Sequence, residues 1–553
     1  MTDPGSVDLV AAVLASCDER PGAAALTFGR RTLSYGELAR RVRATAAALV
    51  QEGMRTGDRV LFSVRPGPDA VVLALGIVEA GGTVVFADPG AGEALFRARA
   101  ALAAPRWVAA ESVLYLASSG PLRRLARRRG LELAPYRRLV PEARHLRAGR
   151  WLPGVPRGAL ALSRLSSARS TRIETRSSNA GGLDTPAAPA TRPAQGDQDA
   201  LVIFTSGTTD APKAVVHTRE SLGAGLADFA AGVGLRAGQR VLTDQLMVGI
   251  PALIAGAHWT MPPAGANPGA RPEQYLALLP DAEVLFAVPA SLDAMLRALD
   301  ARPSLTPKNL QTIILGGAPV LRPLLQRIAT RFPHAAIRAV YGMTEILPVA
   351  IADGRAKLDA PARDGDWVGR LVPSVRATLR EIEDGGSELV LSGPGLARGY
   401  LAELPEHPLA ELATGDLARL DGDSLTLLGR RKDMFIRGSQ NVYPGLYEAI
   451  IAGMPGVSDA AMVGIPDEIG DDRIVVVVVP QHDAPAGGPT AEHPVARAVA
   501  RALPGLLDAG VLPDAVLAIA ELPRAGRSRK LDRVALTARL RAATERAGTE
   551  RAS

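Results

Sequence analysis

A loop rich in hydroxyl side chains, with one lysine, lies between two short apolar runs near the middle of the chain. Its sequence is Thr205-Ser206-Gly207-Thr208-Thr209-Asp210-Ala211-Pro212-Lys213. Backbone N–H groups, four hydroxyl donors and one ammonium group can together surround an anionic phosphate chain. The loop is not the common P-loop, because GxxxxGK[ST] is absent and no helix follows at once. Taken alone, it is equally typical of a Ser/Thr turn between two strands.

Further polar clusters follow this loop in the sequence. They are Gly316-Gly317-Ala318-Pro319, Tyr341-Gly342-Met343-Thr344-Glu345, Thr414-Gly415-Asp416, Gly429-Arg430-Arg431-Lys432-Asp433 and Arg529-Lys530-Leu531-Asp532-Arg533. The chain has only five lysines and uses arginine almost everywhere else, yet Lys213, Lys432 and Lys530 all fall within these clusters. This distribution indicates that the clusters carry chemistry.

The clusters resemble the motifs of the adenylate-forming (AMP-binding) superfamily, which contains acyl-CoA synthetases, fatty-acyl-AMP ligases, nonribosomal-peptide adenylation domains and luciferases. The loop resembles TSGTT-x-x-PK, and the later clusters are similar to YGxTE, TGD, the GRxKD hinge and the C-terminal lysine motif. Five matches in the family's order across about 330 residues support this assignment. The turn beginning Asp88-Pro89-Gly90 and the run 344–349 are also similar to the β-lactone synthetase branch.

The resemblance implies ATP and Mg²⁺ as cofactors and a set of residues for the phosphates. The residues that would hold the β and γ phosphates are Thr205, Ser206, Gly207, Thr208, Thr209 and Lys213. Thr344 would contact the α-phosphate. Glu345 would bind Mg²⁺, because a lone carboxylate beside a triphosphate requires a cation between them. Lys530 would contact the α-phosphate and the attacking carboxylate oxygen, since an ammonium on a flexible stem suits a charge that must arrive and leave.

The resemblance also implies contacts to the nucleoside and a hinge. The residues concerned are Gly316, Gly317, Ala318, Tyr341, Gly342, Asp416, Arg430 and Lys432. The small residues of the Gly-Gly-Ala turn would let adenine approach the backbone, and Tyr341 would stack on or beside the base. Asp416 would accept both ribose hydroxyls with two free oxygens, and Arg430 would reach the ribose or a phosphate. Lys432 would be the hinge about which a small domain turns between half-reactions.

The predicted fold class is α/β. Predicted strands at 60–64 and 83–87 flank a predicted helix at 70–80, a pattern typical of a parallel sheet. The resemblance implies a large domain over 1–428, with mixed and parallel sheets packed against helices, and a smaller mobile α+β domain over 429–553. It also implies a small β subdomain with short strands at 368–370, 388–393 and 398–400. Residues 163–199 have almost no large apolar side chains and predict a flexible insertion.

Composition narrows the class of protein. The chain has 553 residues, of which 47% are apolar and 22% charged, as in soluble globular proteins. The net charge of +7 comes mainly from arginine, and no nucleic-acid module is recognisable, so we do not expect nucleic-acid binding. A single cysteine, Cys17, excludes an internal disulfide. No apolar run reaches the roughly 18 residues of a membrane span, and we expect a cytoplasmic protein.

Two features have a structural interpretation that we favour over a functional one. Ten arginines lie between Arg123 and Arg150 and could contact an acidic carrier protein, coenzyme A or an anionic membrane. A solvated helical face biased towards arginine is the favoured interpretation. His258 lies in an apolar stretch and is interpreted as a core residue with satisfied hydrogen bonds rather than as part of an acyl pocket.

The predicted activity is ATP-dependent activation of a carboxylic acid, with release of pyrophosphate, and transfer to the thiol of coenzyme A or of a separate carrier protein. One alternative is a β-lactone synthetase, in which the hydroxyl of an activated β-hydroxy acid replaces the thiol. Another is a nucleotide-binding pseudoenzyme, because Asp210 and Ala214 replace glycines that the family usually has. A carboxylate at position 210 repels a triphosphate unless a cation screens it. The aromatic content of 4% mildly favours an aliphatic acid.

Overall fold

The computed structural model describes most of the chain. The described residues are 7–87, 93–128, 133–166, 195–205, 213–263, 266, 268, 271–360, 365–382, 386–437, 440–466, 472–507, 511–525 and 530–552. The turn at 88–90, the loop residues 206–212 and most of the predicted insertion lie outside this set. The chain divides into two compact units. The first comprises Met1–Ala266, Thr344–Leu347 and Pro394–Ala410, and the second Asn267–Met343, Pro348–Gly393 and Glu411–Ser553.

The strands up to residue 430 are β1 Ala24–Phe28, β2 Arg31–Ser34, β3 Arg59–Ser63, β4 Thr83–Phe86, β5 Trp107–Glu111, β6 Arg144–Ala148, β7 Leu160–Ala161, β8 Asp199–Thr205, β9 Lys213–Thr218, β10 Arg240–Leu242, β11 His258–Met261, β12 Val284–Ala287, β13 Thr312–Gly316, β14 Ala336–Met343, β15 Ile346–Asp353, β16 Asp366–Leu371, β17 Arg376–Glu381, β18 Ser387–Ser392, β19 Gly399–Tyr400, β20 Leu412–Asp421 and β21 Ser424–Arg430. Later strands are β22 Phe435–Arg437, β23 Gln440–Val442, β24 Val457–Pro466, β25 Asp472–Pro480, β26 Ala515–Ala518, β27 Arg524–Ala525 and β28 Lys530–Leu531.

The helices are α1 Leu9–Glu19, α2 Tyr35–Gln51, α3 Pro68–Glu79, α4 Glu93–Ala103, α5 Ser112–Ala117, α6 Gly120–Arg128, α7 Tyr136–Leu139, α8 Leu162–Leu165, α9 Arg219–Val233, α10 Leu246–Ile254, α11 Pro272–Leu276, α12 Pro289–Ala301, α13 Arg322–Arg331, α14 Gly354–Asp359, α15 Pro444–Ala452, α16 Pro494–Ala502 and α17 Arg533–Ala552. Among the described residues, no helix combines the length and the apolar composition needed to cross a membrane.

The first unit contains a mainly parallel sheet in the order β19-β9-β8-β4-β3-β5-β6-β7. The predicted β-α-β unit is confirmed, because β3 and β4 are parallel neighbours and α3 connects them. β8 continues the parallel part beside β4, whereas β9 returns antiparallel to β8. Side chains such as Leu61, Val85, Val108 and Val202 form its buried core. This arrangement leaves β9 to pair on its other side with a strand from much later in the chain.

That later strand corrects one expectation. Residues 398–400 were predicted to belong to the small β subdomain, but Gly399–Tyr400 pairs antiparallel with β9 in the first unit. Backbone N–H groups of Arg398 and Leu401 donate to the carbonyls of Val216 and Ala214, each at 2.8 Å. The backbone groups at the edge of β9 need hydrogen-bond partners, and residues 398–401 supply them. This requirement decides the position of the segment, although β18 is nearer in sequence.

The second unit combines parallel and antiparallel pairing. Strands β12, β13 and β14 are parallel neighbours, and the strands from β15 through β16, β21, β20 and β18 to β17 continue the sheet, with antiparallel pairing from β15 onward. The strands predicted at 368–370 and 388–393 are present as β16 and β18. The change of direction after β14 separates the parallel α/β part of this unit from its small antiparallel part.

Residues 440 onward include their own apolar core around the three-stranded sheet β24-β25-β26. β25 contains five consecutive valines, a run typical of a buried strand. Val476 and Val478 pack into one core cluster, whereas Val475 and Val477 pack into a second cluster with Leu536 and other residues. Alternate residues of a strand face opposite sides, so β25 is covered on both faces.

The expectation of one solvated helical face over 123–150 is wrong. The segment contains α6, α7 and the strand β6, which lies parallel to β5 within the sheet of the first unit. The Arg144 guanidinium lies 4.8 Å from the ring centroid of Trp107 and forms a 2.7 Å ion pair with Glu52. Pairing with β5 fixes this end of the segment as a strand.

A buried arginine connects three helices of the first unit. Arg219 begins α9, and its guanidinium donates to Asp8 Oδ1 at 2.8 Å, to the Val78 carbonyl at 3.1 Å and to Glu79 Oε2 at 3.3 Å. Asp8 is the N-cap of α1, and Val78 and Glu79 end α3. A single side chain therefore holds three helices, and its charge is compensated by two carboxylates.

We expect Arg219→Met to lower the free energy of unfolding by about 3–5 kcal/mol, because it leaves two carboxylates and a carbonyl without their partner. The matched control is Arg370→Met, which removes an exposed pair with Asp423 and is expected to cost less than about 1 kcal/mol. Urea unfolding of the three proteins measures both values. Equal losses for the two variants would contradict a structural role for Arg219.

Candidate active site

The predicted phosphate loop connects two antiparallel strands. Thr205, at the end of β8, lies opposite Lys213, at the start of β9. The loop residues between them, 206–212, lie outside the described set, so the predicted roles of Ser206, Gly207, Thr208 and Thr209 remain predictions. The register nevertheless fixes where the loop leaves the sheet and where it returns. Lys213 is exposed at the point of return.

Lys213 and Glu345, which the sequence assigns to phosphate and to magnesium, contact the same aromatic side chain. The Lys213 ammonium lies 5.4 Å from the centroid of the Tyr400 ring. The Tyr400 hydroxyl donates a hydrogen bond of 3.1 Å to Glu345 Oε1. Burial and the Glu345 carboxylate raise the pKa of the Tyr400 phenol, so it remains a protonated donor. A cation and an anion predicted to serve one triphosphate thus lie together in the first unit.

The backbone of Thr344 and Glu345 is held from two directions. His217, on β9, donates from Nε2 to the Thr344 carbonyl at 2.7 Å. The Ala397 N–H donates to the Glu345 carbonyl, also at 2.7 Å. A Cβ at Gly225 of α9 would lie 2.5 Å from the Leu347 carbonyl oxygen, so glycine is required for the approach of this segment. β9 and α9 therefore fix the position of this short segment.

His217 is a residue that sequence reasoning missed. Its imidazole is buried, and Nδ1 lies 3.1 Å from the Ser221 hydroxyl. Burial lowers the pKa of His217, although its bond to the Thr344 carbonyl opposes this effect. A neutral ring with the proton on Nε2 donates to Thr344 and can accept from Ser221. Its position four residues after the motif lysine was the available signal.

In the second unit, the Gly-Gly-Ala turn begins at the end of β13, and Tyr341 lies near the end of the adjacent parallel strand β14. Gly316 ends β13 and pairs with Val340 of β14, one residue before Tyr341. A Cβ at Gly316 would lie 3.3 Å from the Val340 carbonyl oxygen, and Gly317 has a φ of +80°, which favours glycine. Ala318 follows in the turn, and Gly342 follows Tyr341 within β14. The carboxyl ends of parallel strands thus bring these two predicted nucleoside elements together.

Asp416 is a buried acid in the second unit, with only 2% of its surface exposed. The Tyr341 hydroxyl donates to Oδ2 at 2.6 Å, and Arg430 Nε donates to Oδ1 at 2.7 Å. Burial, and then the Asp416 carboxylate, raise the pKa of Tyr341 well above its usual value. The prediction of two free oxygens is therefore wrong for this structure. A carboxylate has about four acceptor positions, so capacity for hydroxyl ligands remains.

The other predicted lysines lie later in the second unit. Lys432 is part of a short 3₁₀ turn, Arg431–Asp433, that follows β21. Lys530 is exposed on the β27–β28 hairpin, where it pairs with Ala525. His258, in the first unit, has the expected hydrogen bond, between Nε2 and Thr27 Oγ1 at 2.7 Å, but it is half-buried and not part of the core.

The depressed pKa of His217 predicts acid sensitivity. The unfolded chain takes up a proton below about pH 6.5, whereas the buried ring resists it, so stability falls as the pH falls below that value. We expect His217→Gln, which retains an N–H donor, to reduce this loss by up to about 1.4 kcal/mol per pH unit. Unfolding measured from pH 8 to pH 5 tests this, with exposed His482→Gln as control. Parallel curves for wild type and His217→Gln would contradict it.

Two family models match the chain. The model described as AMP-binding enzyme matches residues 13–401, and the model described as AMP-binding enzyme C-terminal domain matches residues 446–530. A feruloyl-CoA synthase of Amycolatopsis sp. is 28% identical over 494 residues, covering 83% of this chain and 86% of that protein.

Solved structures agree on the fold. Apo MatB of Rhodopseudomonas palustris has a TM-score of 0.71 at 22% identity, covering 96% of this chain and 98% of that one. The amide bond synthetase McbA of Marinactinospora thermotolerans has a TM-score of 0.73 at 22% identity, covering 96% and 99%. The predicted fold, a large N-terminal α/β domain and a smaller C-terminal domain, is confirmed. By the match over most of its length, the chain belongs to the AMP-binding enzyme family.

Proposed function

We propose that this enzyme uses ATP to activate a carboxylic acid as an acyl adenylate, releases pyrophosphate, and then transfers the acyl group to a thiol. The observation that carries the proposal is the cluster of Lys213, Tyr400 and Glu345 in a chain of the AMP-binding enzyme family. It places an ammonium group and a carboxylate around one side chain, beside the loop that the motif assigns to phosphate.

The chemistry explains why such a cluster is needed. A carboxylate is a poor acyl donor because hydroxide is a poor leaving group. A mixed anhydride with AMP is a good acyl donor, because AMP leaves readily. In forming that anhydride, the attacking acid, the α-phosphoryl group and the departing pyrophosphate all carry negative charge. Fixed donors and cations at these positions lower the barrier, since they need no reorganisation during the reaction.

Glu345 fits the donor chemistry of a magnesium site. One of its oxygens accepts a single hydrogen bond from Tyr400, which leaves acceptor positions for a hard cation. Magnesium binds through one or two carboxylates together with substrate phosphates. Mg²⁺ bound there would neutralise phosphate charge. Lys213 and the loop 205–209 would hold the β and γ phosphates, and Thr344 the α-phosphate.

The second unit supplies groups suited to the nucleoside. Asp416 is buried and oriented by Tyr341 and Arg430, and its remaining lone pairs can accept the ribose hydroxyls. Tyr341 and the Gly-Gly-Ala turn would flank adenine. Lys530 would contact the α-phosphate and the acid during activation, and movement of residues 429–553 about Lys432 would exchange it for the thiol acceptor.

Coenzyme A is the thiol that we favour. The feruloyl-CoA synthase matched over most of its length is named for a coenzyme A thioester, which supports the same acceptor class here. A separate carrier protein is the other thiol that the sequence allows. Cyclisation to a β-lactone is the remaining alternative, and its product differs in mass, since it is the acid less one water and carries no thiol.

Pyrophosphate release measured over acids of varied length and hydroxylation tests the activation step. We expect release with at least one class of acid, and about 10²–10³-fold less with Lys530→Ala, the order of effect of removing one group that stabilises a transition state. Lys308→Ala, an exposed lysine outside every motif, is the matched control and should retain full activity. Mass spectrometry of the product then identifies the acceptor.

Three outcomes separate the possibilities. Adenylation that gives a thioester with coenzyme A or a carrier supports the proposal. Adenylation followed by loss of water from a β-hydroxy acid, without thiol, replaces thiol transfer by lactone formation. ATP binding without pyrophosphate release from any acid overturns the proposal and identifies a pseudoenzyme.

Asp210 provides a second test within the same assay. We expect Asp210→Gly and Asp210→Asn to lower the KM for ATP several-fold, because each removes a negative charge from the predicted triphosphate loop. Asparagine retains the shape and the tolerance of positive φ, so agreement between the variants assigns the effect to charge. An unchanged KM in both variants would show that Asp210 lies away from the phosphates.

A further inference from the structure

Tyr400 is placed by backbone hydrogen bonds on both of its sides. Arg398 and Leu401 donate to carbonyls of β9, and Ala397 donates to the Glu345 carbonyl. The segment 397–401 therefore contacts both the strand that carries Lys213 and the backbone of Glu345. In the register of the sheet, Tyr400 lies opposite Val215, two residues after Lys213. The ring thus occupies a fixed position between two motifs that are far apart in sequence.

The ring and the hydroxyl of Tyr400 contact opposite charges. The ring lies beneath the Lys213 ammonium at 5.4 Å from its centroid, a distance at which the negative face of an aromatic ring attracts a cation. The hydroxyl donates to Glu345 Oε1 at 3.1 Å, which fixes the direction of the carboxylate without removing its charge. Tyrosine has only two side-chain torsions, so both contacts are held by a stiff group.

We propose that Tyr400 is a positioning residue that holds Lys213 for the ATP phosphates with its ring and Glu345 for the accompanying divalent cation with its hydroxyl. This inference rests on the proposed function, because it assigns the residue a part in binding ATP with Mg²⁺. Its two contacts have separate consequences. Loss of the hydroxyl affects the carboxylate alone, whereas loss of the ring also affects the lysine.

Two substitutions separate these consequences. Tyr400→Phe retains the ring and removes the hydroxyl, and we expect it to raise the Mg²⁺ concentration for half-maximal ATP binding about tenfold, the effect of losing one hydrogen bond to a charged group. Affinity for ATP at saturating Mg²⁺ should change less than about twofold, because the ring still faces Lys213. Tyr400→Leu removes both contacts and should also weaken ATP binding at saturating Mg²⁺, by about fivefold.

Calorimetric titration of the full chain with ATP at a series of Mg²⁺ concentrations measures both quantities without turnover. Tyr136→Phe, in the core of the same unit, is the matched control for loss of a tyrosine hydroxyl and should bind like the wild type. Thermal unfolding verifies that each variant is folded. If Tyr400→Phe shifts only the thermal midpoint and leaves the Mg²⁺ dependence unchanged, the residue is structural and the proposal is wrong.

Failure of this inference is distinguishable from failure of the proposed function. If the wild-type chain binds ATP with Mg²⁺ but releases no pyrophosphate, the proposed function is wrong. The positioning role of Tyr400 can then still be tested, because it is measured by ATP binding to the two variants. Identical Mg²⁺ dependence of wild type and Tyr400→Phe, in a wild type that turns over, overturns the positioning role alone. Absence of ATP binding by the wild type overturns both.

Discussion

The geometry of the proposed phosphate site depends on the pairing of β9 with the segment 397–401. β9 begins at Lys213 and contains His217, and the paired segment contains Ala397 and Tyr400. β9 and the segment 397–401 donate three hydrogen bonds to Thr344 and Glu345, two of them to backbone carbonyls and one to the Glu345 carboxylate. A carboxylate that must meet a cation in one direction needs such support, because reorganisation during the reaction would cost part of the catalytic benefit. The ladder therefore determines where charge can be stabilised.

Glu345 and Asp416, the two carboxylates proposed to serve ATP, are both oriented by a tyrosine hydroxyl. They differ in whether an arginine offsets their negative charge. Each accepts a hydrogen bond from a tyrosine hydroxyl, Tyr400 for Glu345 and Tyr341 for Asp416. Asp416 is buried and also accepts from Arg430, which offsets its negative charge. A compensated carboxylate suits neutral partners such as ribose hydroxyls, since no cation must follow it. Glu345 accepts its hydrogen bond from the neutral Tyr400 hydroxyl and so keeps the charge that a divalent cation requires.

Local order was predictable from the sequence, whereas contacts between distant segments were not. The alternation of apolar runs in β3, α3 and β4 indicates a β-α-β unit, and five consecutive valines indicate that β25 is a buried strand. Tyr400 bonds a residue 55 positions away, and His217 bonds one 127 positions away. No local pattern marks such partners, so Tyr400 was predicted to lie on the wrong sheet and His217 was overlooked. The pairing of Arg430 with Asp416 similarly follows from the register of β20 with β21, which sequence alone does not specify.

The presence of lysine at position 213 has a physical explanation in a chain that uses arginine almost everywhere else. A guanidinium group is planar and stacks over an aromatic ring, where its broad contact would hold it against Tyr400. An ammonium group is a compact charge with three donors on a flexible stem, and it can rest on the ring yet turn towards a phosphate oxygen. An ammonium group resting on Tyr400 can therefore be positioned by the ring without being locked to it. The same reasoning applies to Lys530, which is exposed on β28: its proposed movement between two half-reactions would benefit from a long flexible stem more than from the rigid donors of a guanidinium group.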